Sequence, residues 1–167
     1  MIELEPLSVP QLLLLHARLL EELRSRGVLR TANNPTGDLA EYLFCKAFGW
    51  RQAANSEKSY DALDANGLRY QIKGRRLHAR NGSRQLSAIR DLDGFDMLAA
   101  VLFDEHYRVA RAVLIPAALV REHSTFVPHT NSHKFHLRES NCVLPEVVDV
   151  TARLSDDGLT SADTGTA

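Results

Sequence analysis

Cysteine is scarce in this chain, long apolar runs are missing, and the net charge is close to zero. The two cysteines, Cys45 and Cys142, stand in apolar surroundings without CxxC or other ligand spacing. That excludes a disulfide framework and predicts buried free thiols. No hydrophobic run approaches the ~18 residues of a membrane-spanning helix; the longest early one, Leu12 to Leu15, stops at His16. The amino terminus lacks the basic-then-apolar pattern of a secretory signal, so a cytoplasmic protein with no membrane partner is expected. No internal repeat is present.

What is present suits one soluble domain. A chain of 167 residues, 44% hydrophobic and 25% charged, is long enough to bury roughly 70% of its unfolded-state surface. A single domain is expected over 1–154. Residues 155–167 hold one leucine among Ser, Asp, Gly, Thr and Ala, which predicts a disordered tail. The net charge of -1 hides a local asymmetry. From Ala65 to Arg90 there is no acidic residue, while Arg69, Lys73, Arg75, Arg76, Arg80, Arg84 and Arg90 are basic. Such a block is either a solvated face or a surface for phosphates.

Leucines at 12, 15, 19 and 23 follow helical spacing and predict an amphipathic helix over 8–26, closed by Gly27. It either packs on the core or contacts a second copy or a partner subunit. Asn34-Pro35 signals a second helix start, and the segment to Phe48 is nearly all apolar before Gly49. Glu41 within it is either the third-position partner of an Asp38 cap or a carboxylate aimed at a cation, because a charge on so apolar a helix is costly to bury alone. If Asn34 caps, the first alternative fails. Trp50 to Ala54 suits an edge strand, Arg84 to Leu92 a short helix, Phe95 to Phe103 a central strand and Tyr107 to Ile115 its antiparallel neighbour. Pro116 opens a helix to Glu122, and Lys134 to Leu137 suits a last strand. His123, His129, His133 and His136 match no standard zinc spacing.

After the edge strand comes Ser59 to Arg76, on which the basic block begins and which reads as a β-hairpin. Gln71 and Lys73 are two apart and share a strand face. Asp61 joins that face only if a three-residue loop, Ala65-Asn66-Gly67, sets Asp61 opposite Gln71, with Gly67 in the left-handed conformation. A two-residue turn would reverse Asp61. With this register the shared groups are a carboxylate, an amide oxygen and an ammonium. Asp61, Gln71, the carbonyl of Ile72 and, from the preceding helix, Glu41 are the oxygen ligands that Mg²⁺ or Mn²⁺ prefers. Lys73 would stand beside the attacking water or the phosphate. Asp64, three residues after Asp61, belongs to the turn.

Asp61, Gln71 and Lys73 on a hairpin, with a glutamate helix before and a basic stretch and an apolar strand after, resemble the PD-(D/E)xK phosphodiesterase superfamily. Gln71-Ile72-Lys73 is similar to its Mrr-type QxK branch, and Gly37 to Glu41, Tyr70 to Arg76 and Arg84 to Arg90 are similar to stretches of a group of small bacterial proteins. Tyrosine stands before Asp61 where the family has proline, and Gln71 replaces an acid. The resemblance covers about 35–103, within a core of about 35–138. It implies a restriction-endonuclease-like α/β fold, a mixed sheet with an αβββαβ core plus the extra N-terminal helix. It also implies metal-dependent hydrolysis of DNA, with Asp61, Gln71, Lys73 and Glu41 catalytic. Arg75, Arg76, Arg80, Arg84, Gln85 and Ser87 are expected at phosphates, the last two from a helix amino terminus. The alternative is a catalytically silent DNA-binding or protein-interaction module, such as an accessory subunit of a defence or repair system.

Overall fold

A computed structural model describes residues 3–31, 34–54, 56–57 and 59–157. The chain runs through α1 (Val9–Ser25), α2 (Pro35–Phe48), β1 (Arg51–Gln52), β2 (Ala62–Leu63), β3 (Arg69–Arg76), β4 (Met97–Phe103) and β5 (Val109–Pro116). It continues through α3 (Ala117–His123), β6 (Thr125–Val127), β7 (Ser132–Lys134), α4 (Glu139–Cys142), β8 (Val148–Asp149) and α5 (Thr151–Asp157). Six strands form one mixed sheet in the order β1-β2-β3-β4-β5-β8, and β6 and β7 make a separate hairpin. Among the described residues only the β3–β4 pair is parallel. The protein is therefore α/β, as its sequence suggests.

β4 is the centre because both of its faces are apolar. Ala99, Val101 and Phe103 pack with Leu43, Phe44 and other residues of α2, while Leu98, Ala100 and Leu102 meet Leu86, Ile89, Phe135 and Leu137 on the other side. A strand covered on both faces needs such a continuous apolar run. β5 lies antiparallel to β4 and α3 follows Pro116, both as the sequence predicts.

Asn34 caps α2, accepting a hydrogen bond from the Thr36 N–H at 3.0 Å, and Gly49 ends it at φ 66°. Pro35 is the first helical residue, where its missing N–H costs nothing. Glu41 consequently sits in the second turn, and its capping-box alternative is excluded. Asp38 serves elsewhere, because its buried carboxylate accepts the N–H groups of Arg30 and Thr31 at 2.8 and 2.7 Å and ties the incoming chain to the helix. α1 forms where expected, with Gln11 accepting from the Ser8 N–H at 2.8 Å, yet none of its residues is buried.

The sequence expectation fails in the crossover from β3 to β4. Residues 84–92 are not helical; the segment is extended, with bridges from Gln85 to His136 and from Ile89 to His133. Leu86 donates its N–H to the Phe135 carbonyl at 3.0 Å, and Ile89 and His133 exchange bonds of 3.0 and 2.7 Å. The three-residue spacing of Leu86, Ile89 and Leu92 fits a helix in isolation, but residues 133–137 supply backbone partners that no local window contains. The helix of the αβββαβ order between third and fourth strands is thus replaced by extended chain. The expected strand over Lys134 to Leu137 shifts to β7, and residues 155–157 of the expected tail belong to α5. The rest of that tail lies outside the described residues. Among the described residues no helix is long and apolar enough to cross a membrane.

Candidate metal and phosphodiester site

The site begins with a loop. Asp64 N–H donates to the Leu68 carbonyl and Gly67 N–H to the Asp64 carbonyl, each at 3.1 Å, enclosing Ala65-Asn66-Gly67 with Gly67 at φ 79°. Asp64 Oδ1 accepts the N–H groups of Asn66 and Leu68, so this acid belongs to the turn. Beyond the loop Leu63 pairs with Arg69 and Ala62 with Tyr70, a register that sets Asp61 opposite Gln71. Asp61 accepts the Ile72 N–H at 2.6 Å and the Gln71 side-chain amide.

β2 is short while β3 continues past it, leaving a notch at the sheet edge. α2 closes the notch from one side of the sheet and the 77–96 crossover from the other. The resulting cleft is lined by Glu41, Asp61, Ile72 and Lys73, with Gly74, Arg75 and Arg76 further along β3. Its walls are Asn34, Thr36 and Gly37 of the α2 start, His78, Asn81 and Ser87 of the crossover, and Tyr107. The approach of α2 depends on Gly74: a Cβ there would fall 2.8 Å from both Ala40 Cβ and the Thr36 carbonyl oxygen.

Burial governs the charged groups of the cleft. Burial pushes the Glu41 carboxyl above its usual range, the nearby Asp61 charge adds to that, and a 2.7 Å hydrogen bond from Gln52 only partly opposes it. Asp61 is likewise pushed up by burial, against the pull of the Ile72 N–H, Lys73 and Gln71. Burial pushes the Lys73 ammonium down, while Asp61 and Glu41 hold it up. Arg30 stands 3.7 Å from Glu41. Removal from water is thus the main cause of both upward shifts. The carboxylate donors are hard oxygens, the ligand type that Mg²⁺ and Mn²⁺ prefer. Among the described residues no group of three His, Cys, Asp or Glu is placed to hold a metal, and the carboxylates that line the cleft are those of Glu41 and Asp61.

The remaining expected residues divide. Gln71 is buried behind Asp61 and does not line the cleft. Arg75 lines it and donates to the Ser83 carbonyl at 3.2 Å. Ser87 lines it from extended chain, so the expected helix amino terminus for Gln85 and Ser87 does not exist, and Gln85 turns toward His136 instead. Arg84 is 3.6 Å from Glu139 and outside the cleft, and Arg80 borders a neighbouring hollow with Arg76, His78 and His106. Sequence reasoning misses Arg30 and Gln52, which hold Glu41, and Gly74 and Tyr107. Only Gly74, a glycine inside a strand, carries a local signal of close approach. A scan against family models finds no match for the chain, and a search of curated proteins finds none either.

Proposed function

We propose that this protein is a metal-dependent nuclease of the restriction-endonuclease-like type that hydrolyses DNA phosphodiester bonds in the cytoplasm. One observation carries the reading: Glu41, Asp61 and Lys73, from three separate elements, line one cleft together with Arg75 and Arg76. The parallel β3–β4 pair beside the hairpin supports the fold assignment.

Glu41, Asp61 and the Ile72 carbonyl would hold Mg²⁺ or Mn²⁺, which when bound supplies Lewis-acid charge and lowers the pKa of water. Gln71 and the Ile72 N–H fix the Asp61 carboxylate, and Gln52 fixes that of Glu41. Lys73, in its ammonium form, stabilises the negative charge that grows on the phosphate oxygens during attack. Arg75 positions the backbone without reading sequence. With Mg²⁺ or Mn²⁺ the wild type is expected to cleave DNA, and Asp61→Ala and Lys73→Ala to remove cleavage while circular dichroism stays unchanged. Equal cleavage by all three proteins sinks the proposal.

A second reading has its own support, the buried and neutral Gln71 beside Asp61, which brings no negative charge to a metal. In it the chain is a silent DNA-binding module that binds in a salt-dependent way and does not cleave. Calorimetry that detects no Mg²⁺ binding at millimolar concentration, together with that salt dependence, selects it. In either reading the exposed leucines of α1 suit a second copy or a partner subunit.

A further inference from the structure

The loop joining β4 to β5 repeats the hydrogen-bond pattern of the loop joining β2 to β3. Asp104 N–H donates to the Arg108 carbonyl at 2.9 Å and Tyr107 N–H to the Asp104 carbonyl at 3.2 Å. Asp104 Oδ1 accepts the N–H groups of His106 and Arg108 at 2.8 and 2.9 Å, as Asp64 does for Asn66 and Leu68. The third loop position is left-handed in both, at φ 79° for Gly67 and φ 61° for Tyr107. Glycine adopts that backbone without strain, whereas a bulky aromatic residue there is an outlier. The loop therefore carries a tyrosine against its own backbone preference, and the ring's surroundings suggest why.

The Arg76 guanidinium lies over the Tyr107 ring, 4.6 Å from its centroid, and Phe103 supports the ring at 6.1 Å. Arg76 Nε and Nη2 both donate to the Glu105 carbonyl of the same loop. That uses the side-on one of the two forked edges with which an arginine can grip a phosphate. The guanidinium, held by the Glu105 carbonyl and lying over Tyr107, is a flat cation that borders both the cleft holding Asp61 and Lys73 and the adjoining hollow of His78 and Arg80.

We propose that Arg76 and Tyr107 form a stacking platform for a nucleobase beside the scissile phosphate, so that the substrate is DNA with an unpaired nucleotide there. Every base offers a π-face to such a platform, but a base inside a duplex has both faces covered by its neighbours. The proposal rests on the nuclease reading and narrows its substrate to single-stranded or locally unpaired DNA.

The test is the fluorescence of a single-stranded oligonucleotide carrying 2-aminopurine, titrated with the full chain without metal. Wild type is expected to quench the probe and to bind it more tightly than the matching duplex. Tyr107→Gly suits the loop backbone, and circular dichroism checks its fold. It should lose the quench and bind the single strand about tenfold more weakly, with duplex binding unchanged. Tyr107→Phe should behave as wild type, and Arg76→Lys, which keeps the charge but not the plane, should lose the quench. A quench that persists in Tyr107→Gly overturns the platform, as does wild-type preference for the duplex. Full quenching with no cleavage under Mg²⁺ or Mn²⁺ leaves the platform standing and sinks the nuclease reading alone.

Discussion

Helices α1 and α2 are both rich in large apolar residues, and the fold uses them oppositely. α1 carries seven leucines and buries none of its residues, whereas α2 buries Leu39, Ala40, Leu43, Phe44 and Ala47. In α1 Leu15, Leu20 and Leu23 are half-buried, while Leu12, Leu13, Leu14 and Leu19 are exposed. α2 instead joins its large residues to two buried alanines, and Gly74 opposite Ala40 lets the helix back come within van der Waals distance of β3. Closeness of approach, more than apolar content, decides which helix enters the core. It also decides which helix can deliver a carboxylate to the sheet edge.

The largest test of this contrast is truncation. Phe44→Ala, at a fully buried position, should lose about 3–5 kcal/mol in urea unfolding. Leu13→Ala, at a position 65% exposed, should stay within about 0.5 kcal/mol of wild type. Comparable losses would erase the distinction. Next comes Gly74→Ala, whose new methyl meets Ala40 and the Thr36 carbonyl; a cost of about 1–3 kcal/mol is expected. Because the clash pushes α2 and Glu41 outward, Mn²⁺ affinity should fall with it. Gly67→Ala meets nothing within 4 Å and costs only the backbone strain of its positive φ, about 1 kcal/mol; its Mn²⁺ affinity should hold better.

A smaller effect concerns pH. Burial, with the Glu41 charge behind it, pushes the Cys45 thiol of α2 up to about 11 from an ordinary 9.0. The native chain then keeps a proton that the unfolded chain releases first. The stabilisation is complete below pH 9 and is lost as pH rises toward 11. Unfolding free energies measured across that interval should decline less steeply in Cys45→Ala than in wild type. Least of all, Leu13→Gln with Leu14→Gln should leave monomer stability within about 0.5 kcal/mol, and sedimentation of wild type and variant will report whether α1 joins two copies.

The hairpin was legible in the sequence because strand parity leaves few choices: Asp61 faces with Gln71 and Lys73 only in the register that needs Gly67 left-handed. Glu41 was legible because a carboxylate on an apolar helix demands an explanation, and the Asn34 cap removed the bland one. The crossover was not legible. Its hydrogen-bond partners at 133 and 135 lie more than forty residues away along the chain, and the Leu86, Ile89 and Leu92 spacing is shared by helix and irregular chain. Arg30 and Gln52 were missed for the same reason, since only the folded edge strand brings them to Glu41. Gln71 kept its place opposite Asp61 but turned out to support that carboxylate from behind.

The central claim is that Glu41 and Asp61, delivered by different elements, hold one divalent cation beside Lys73. Calorimetric titration with Mn²⁺ tests it most directly. One ion per chain is expected for the wild type, with binding lost in Asp61→Asn and strongly weakened in Glu41→Gln while both variants stay folded. Identical isotherms for the wild type and both variants would contradict it.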